Sequence, residues 1–270
     1  NENVTRLTSS QNCSSVPPRL TWEQPEPTGY LYKGLWHSYL CRRPERVTKS
    51  CLRNINIIFL GDSNARQLYE DISPRSSCKE QIIKQYSSWH KPLKCINKDL
   101  NFTLEWIPHS NPFRTSHLVW AGLDWIKASN RVIDEVPSTG RYLIHIHHYL
   151  HAASAHLSAH ISMMVAIKES LSKLLKRNSN VIVVIQGAHV AWELGSKITY
   201  MQGDGLRRVF TDIHYELFKD MRDQVFYLQT ADITIAALNS NAHPPFNWQI
   251  SNMVTGFICV VDDNGSLGGR

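Results

Sequence analysis

No run of about 18 apolar residues interrupts this chain, so no segment of it is expected to cross a bilayer as a helix. Nor is there a block of basic residues. Its 29 Lys and Arg against 23 Asp and Glu give a net charge of +6, spread along the sequence. That distribution argues against dedicated nucleic-acid binding and leaves an anionic substrate, such as an acidic glycan, open. G-x-G-x-x-G and P-loop patterns are absent, which excludes the usual cradle for a tightly held dinucleotide, and no cofactor is expected. There is no H-E-x-x-H pair and no C-x-x-C pair, so neither a zincin-type metal centre nor a thiolate or thioredoxin site is expected. Internal repeats and low-complexity stretches are also missing.

What the chain does contain is enough apolar material, 42% of 270 residues, for one well-packed domain. Its six cysteines, Cys13, Cys41, Cys51, Cys78, Cys95 and Cys259, are scattered, as structural disulfides of an oxidising compartment are, with the pairing left open. Acceptor patterns for N-glycosylation begin at Asn3, Asn12, Asn101 and Asn264. With a first residue other than Met, these features lead to the expectation of a mature, secreted or secretory-lumen glycoprotein.

Residues 1–28 are rich in Ser, Thr, Pro and Asn and read as an extended arm, with Cys13 as a candidate for pinning it; residues 29–262 read as a single domain and 263–270 as a tail. Within the domain, apolar runs at 54–60, 103–107, 142–147, 181–185 and 225–228 read as strands, and the spacing of apolar residues predicts helices over 64–72, 156–175 and 206–221. Strands separated by helices indicate an α/β sandwich of three layers around a central, mainly parallel five-stranded sheet. Parallel strands place functional loops at their carboxyl edge. There the first strand ends in Gly61-Asp62-Ser63, the third in His147-His148 and the fourth in Gly187, while His243 lies beyond the fifth. A hydroxyl just after an apolar strand and a tight Gly-Asp turn is a candidate nucleophile; an ordinary helix N-cap has the same local sequence.

Gly29-Tyr30, Leu35-Trp36-His37-Ser38-Tyr39-Leu40-Cys41, Cys51-Leu52-Arg53, Gly61-Asp62-Ser63 with Arg66-Gln67, Gln186-Gly187-Ala188 and His243-Pro244 follow one another in the order found in one group of proteins. Over about residues 20–260 the chain resembles the PC-esterase domain of the NXPE (neurexophilin and PC-esterase) family, a branch of the SGNH/GDSL hydrolases. The resemblance implies acyl chemistry, with Ser63 as nucleophile beside Asp62, His243 as base, and an oxyanion held by amides near Gly61, Ser63 and Gly187. Two positions depart from the family pattern. Ser240 stands three residues before His243, where an orienting Asp is usual, and His189 replaces the side-chain amide after Gly187. Asn239, Asn241 or Asp232 are the substitutes within reach in the sequence.

Thirteen histidines, with His145, His147, His148, His151, His156 and His160 close together, invite a metal reading, but no carboxylate partner accompanies them and no metal is expected. His156 and His160 read as a solvated helix face, and His148 and Arg66 as pocket residues facing Ser63, with Trp192 and Trp248 as flat pocket walls. Two functions follow. One is an O-acyl, for instance acetyl, esterase or acetyltransferase acting on a glycan or small-molecule hydroxyl. The other is a degenerate scaffold that binds a ligand or performs histidine-dependent, oxidative chemistry on an aromatic small molecule.

Overall fold

The structure is a computed structural model that describes residues 11–43, 47, 49–81, 91–109, 127–191, 203–261 and 267–269. A small antiparallel ribbon, β1 (Gly29–Tyr32) and β2 (Leu35–Ser38), precedes the central sheet. That sheet is built from β3 (Ile55–Gly61), β4 (Lys79–Glu80), β5 (Leu93–Asn97), β6 (Phe102–Pro108), β7 (Tyr142–His147), β8 (Val181–Gln186) and β9 (Val225–Leu228), in the order β4-β5-β6-β3-β7-β8-β9. The expected five strands are all present and parallel. The count itself needs correction to seven, because two antiparallel strands extend one edge. Their signal is weak for a physical reason: β4 has only two residues, both exposed, and β5 buries Cys95 alone. Cys78 and Cys95 are joined by a disulfide, which fixes that edge covalently.

Alternate residues of β3 enter opposite cores. Ile55, Ile57 and Phe59 pack with Leu68, Tyr69 and Ile72 of α2 (Ser63–Ser76) and with Ile250, Met253 and Val254 of α8 (Asn247–Thr255). Ile58 and Leu60 face Val132 and Ile133 of α3 (Ser129–Asp134) and Met164, Ile167, Leu171 and Leu174 of α5 (Leu157–Arg177). A strand covered on both faces shows no polar alternation, which is why β3 reads as a continuous apolar run. The remaining helices are α1 (Pro18–Trp22), α4 (Leu150–Ala153), α6 (Asp204–Leu217) and α7 (Ala231–Ala236); a hairpin of β10 (Cys259–Val261) and β11 (Leu267–Gly269) ends the chain.

From residue 11 onward the segment expected as an extended arm is folded against the domain. Trp22 is 2% exposed, stacks on Tyr227 at 4.6 Å, and donates its indole N–H to Val225 O at 2.6 Å. Burying such a ring contributes about 2–3 kcal/mol, enough to hold a short helix that propensity alone would not. Cys13–Cys41 ties the same segment to the end of β2, and Cys51–Cys259 joins the entry of β3 to β10. Residues 1–10, and with them Asn3, lie outside the described residues, as do Trp192 and Asn264.

Numbered along the chain, the five parallel strands stand in the order 2-1-3-4-5, so the connections leaving β3 and β7 diverge to opposite faces. Ligand crevices of doubly wound sheets open at such a divergence. Gly61 and His147 are register partners there.

Candidate functional site

Gly61 ends β3 at φ +154°, and a β-carbon on it would collide with the carbonyl oxygen of His147. Only glycine lets the two strand ends approach this closely. The chain then turns, and Asp62 caps α2: its Oδ1 accepts from Asn64 N–H at 2.9 Å. The other carboxylate oxygen, Oδ2, accepts from Leu150 N–H at 3.1 Å, so one buried side chain ties the β3–α2 turn to the turn after β7. Burial opposes ionisation of Asp62, yet neighbouring imidazoles and the Asn64 N–H outweigh it and hold the carboxyl below the ordinary carboxylate range. His147, the first of those imidazoles, is itself kept neutral by burial, so the two backbone donors are the more secure source of that stabilisation. Asp62 thus anchors the first turn of α2 to the start of α4 and lies close enough to His243 to raise its pKa.

Ser63, the first residue of α2, is partly exposed, and its Oγ lies 2.6 Å from His243 Nε2. At that separation the two share a hydrogen bond, in which the hydroxyl donates when the neutral imidazole carries its proton on Nδ1. Burial lowers the His243 pKa from the ordinary imidazole value, and Arg66 works in the same direction while Asp62 opposes it. Among the described residues no side chain accepts from His243 Nδ1. Ser240 is exposed. Asp232 is committed elsewhere, its Oδ2 accepting from Thr28 N–H and Oγ1.

The loop carrying His243 is held by polar contacts of a different kind. Asn239 Nδ2 donates to Val190 O and Asn241 O, both at 2.8 Å, and Asn239 Oδ1 accepts from Asn241 N–H. Asn241 Oδ1 accepts from His243 N–H at 3.1 Å. His189, 1% exposed, donates from Nε2 to Ala242 O at 3.1 Å. Its Nε2 proton is therefore spent on the loop. Gly187, expected near an oxyanion, also has its N–H engaged, by Leu228 O. Asn241 and His189 are brought to the His243 loop, whereas Gly187 stays within the sheet.

His148 is 4% exposed; its Nε2 pairs with Ser129 Oγ at 3.0 Å, and its ring meets that of His109 edge-on at 5.6 Å. Arg66, one turn along α2 from Ser63, places Nε 3.2 Å from Glu70 and its guanidinium 5.9 Å from the Trp106 ring. Trp248 is 36% exposed on α8. His160 departs most from expectation: it is fully buried, with Nε2 3.2 Å from His214 Nε2, and only His156 stays at the surface, capping α5. Burial lowers both members of that pair. With His145 and His189, each pushed down to about 3, they form a set of neutral imidazoles beneath the carboxyl edge.

Several residues of this region escape a reading by motif. His109 follows β6 and pairs with His151 at 2.8 Å between Nε2 and Nδ1; the two are far apart in sequence and only the parallel pairing of β6, β3 and β7 joins them. Asn64 is 3% exposed, and neither Oδ1 nor Nδ2 has a partner among the described residues. A signal for it existed, since Asn64, Leu68 and Ile72 share the inward face of α2 at four-residue spacing, and a polar residue on such a face is unusual. Among the described residues no group of three or more His, Cys, Asp or Glu is arranged to hold a metal ion.

Among solved structures, an ADP-ribosylation-factor-like GTP-binding protein (small COPII coat GTPase SAR1) of Encephalitozoon cuniculi in complex with GDP aligns with 12% identity over 77% of this chain and 83% of that one. Its TM-score of 0.39 is too low to inform the fold or the site. The sequence itself is decisive: residues 36–259 match the family described as NXPE family member 4-like, C-terminal domain, and the chain belongs to the NXPE family.

Proposed function

We propose that this NXPE domain is an SGNH-type acyl-transfer enzyme of the secretory pathway, acting on an O-acyl ester of a glycan or small-molecule hydroxyl. The observation that carries this reading is the 2.6 Å contact between Ser63 Oγ and His243 Nε2 at a sheet divergence. Ser63 Oγ attacks the acyl carbonyl while its proton passes to His243 Nε2. Collapse of the tetrahedral intermediate breaks the bond to the leaving oxygen, which takes that proton. Water or an acceptor hydroxyl then gives its proton to His243 and attacks the acyl-serine, releasing acid or a new ester. Three disulfides and no membrane-spanning helix among the described residues are compatible with a secretory setting.

The missing carboxylate is expected to lower turnover. In a serine triad, replacing the orienting Asp costs about 10⁴-fold, chiefly because the imidazole loses its working tautomer. Here Asn239, Asn241 and His189 fix the backbone around His243, so they supply placement without supplying charge. For the oxyanion, the donors are the Ser63 N–H at the start of α2 and the amide of Asn64, whose buried ends lack partners among the described residues. Burial lowers the His243 pKa, which favours the neutral imidazole that a general base has to be.

A second reading rests on the neutral histidines and on the described contacts of His189 and Gly187, which are spent inside the fold. It makes the cleft a ligand-binding module, or a site of histidine-dependent oxidative chemistry on an aromatic molecule. The variants Ser63→Ala and His243→Ala separate the two. Acyl transfer requires that both abolish turnover of acetylated glycans, whereas a binding module keeps its ligand affinity in both. Intact ester hydrolysis by Ser63→Ala overturns the acyl reading.

A further inference from the structure

At the opposite, amino edge of the sheet lies a cavity of about 600 Å³, away from Ser63 by the length of β3. It is lined by Ser50, Arg53, Asn54, Asn56, Asn101, Gly140 and Arg141, whose polar groups are set among the apolar stems of the same side chains. Three amides, two guanidinium groups and a hydroxyl offer donors and acceptors at many angles, the chemistry that pairs with the hydroxyl and acetamido groups of a sugar. The same wall contains Asn101, the acceptor of Asn101-Phe102-Thr103.

Asn101 is well placed for modification. It is exposed, it occupies a left-handed turn (φ 48°) immediately before β6, and its Nδ2 donates to Asn54 Oδ1 at 3.2 Å, a second asparagine at positive φ. The other acceptor among the described residues, Asn12, is half-buried, next to the disulfide-bonded Cys13 and in a backbone bridge to Arg42.

We propose that Asn101 carries an N-linked glycan whose first sugars lie in this cavity, hydrogen-bonded by Asn54, Asn56, Arg53 and Arg141. Attachment forms a bond from Nδ2 to the anomeric carbon of a lipid-diphosphate-linked oligosaccharide. It breaks that carbon's bond to the diphosphate and releases one amide proton. The remaining N–H still serves Asn54 Oδ1, so modification and the observed hydrogen bond coexist. A sugar chain here closes the open amino ends of β6, β3 and β7 on the side away from the candidate active site.

The test uses the full chain expressed through a secretory pathway, mapped by peptide mass spectrometry and treated with peptide-N-glycosidase in native and denatured states. The expected result is occupancy at Asn101, loss of it in Asn101→Gln and Thr103→Val, and native release slowed about tenfold or more, as a few sugar hydrogen bonds produce. Arg53→Ala with Arg141→Ala should leave the glycan attached and remove most of that protection. An unmodified Asn101 in secreted protein overturns the proposal. So does a glycan released equally fast from native and denatured protein.

Discussion

Asp232 Oδ2 accepts two hydrogen bonds from Thr28, from its N–H at 2.7 Å and its Oγ1 at 2.9 Å, and so fastens the start of β1 to α7. The carboxylate that sequence reading places within reach of His243 is therefore part of the scaffold. Asp232→Asn is expected to leave the reactivity of Ser63 within about twofold and to cost about 1–2 kcal/mol of stability, the worth of hydrogen bonds to a charged group. Parallel urea unfolding and active-site labelling check this. A collapse of labelling with unchanged stability would instead make Asp232 the missing triad member.

Gly61→Ala should be among the most damaging single-methyl changes in the chain. The new carbon meets the backbone of His147, and backbone yields far less than a side-chain tip. A loss of about 3 kcal/mol or more is expected from the clash and the unfavourable φ together. Gly205→Ala is the control: it sits in the first turn of α6 with open space around it, and is expected to be neutral or stabilising by up to about 1 kcal/mol. Equal stabilities of the two variants would refute the close-approach argument.

Stability should fall with acid well before the carboxylates titrate. In the native protein His145 and His189 are held down to about 3 and His160 to about 4 by burial, whereas in the unfolded chain each takes up a proton near the ordinary value of about 6.5. Below that pH the unfolded state binds more protons, so stability, full above it, is lost as pH falls toward the native values. Each histidine adds a slope of about 1.4 kcal/mol per pH unit once it is fully engaged. Urea unfolding at steps from pH 7.5 to 4.5 measures this, and a flat profile over that range would contradict the burial of these rings.

Asn64→Leu offers opposite signs for folding and for chemistry. Removing a buried amide without partners relieves a desolvation cost of about 1–3 kcal/mol, so a gain of roughly 1 kcal/mol in stability is expected. If its amide helps hold an oxyanion, serine reactivity falls by about 10²-fold in the same variant. A variant that loses both stability and reactivity would mean that Asn64 is a bonded structural residue.

Much of the scaffold is legible in the sequence because β3, β8 and β9 are near-continuous apolar runs, β6 alternates buried with half-buried residues, and α5 repeats its apolar residues for five turns. The edge strands β4 and β5 escape because a short, half-exposed strand has no period to detect. Trp22 is hidden for another reason: a single aromatic in a Pro- and Ser-rich segment looks like arm sequence until Tyr227 and Phe218 supply its partners. At the site, Ser63 and His243 are found by motif and chain order. The roles of His189, Asn239 and Asn241 are not, since they depend on which backbone carbonyl each meets after folding. His160 misleads in the same way, its helical spacing being compatible with either face until α6 brings His214 against it.

The most direct test of an activated serine is labelling of the purified protein with a fluorophosphonate probe, read by peptide mass spectrometry at Ser63 and repeated with His243→Ala. Modification of Ser63 in the parent and about 10³-fold or greater loss in the variant is expected if the 2.6 Å contact is a working nucleophile–base pair. Folded parent protein that leaves Ser63 unmodified would contradict the acyl-transfer mechanism and leave the cleft to ligand binding or histidine chemistry.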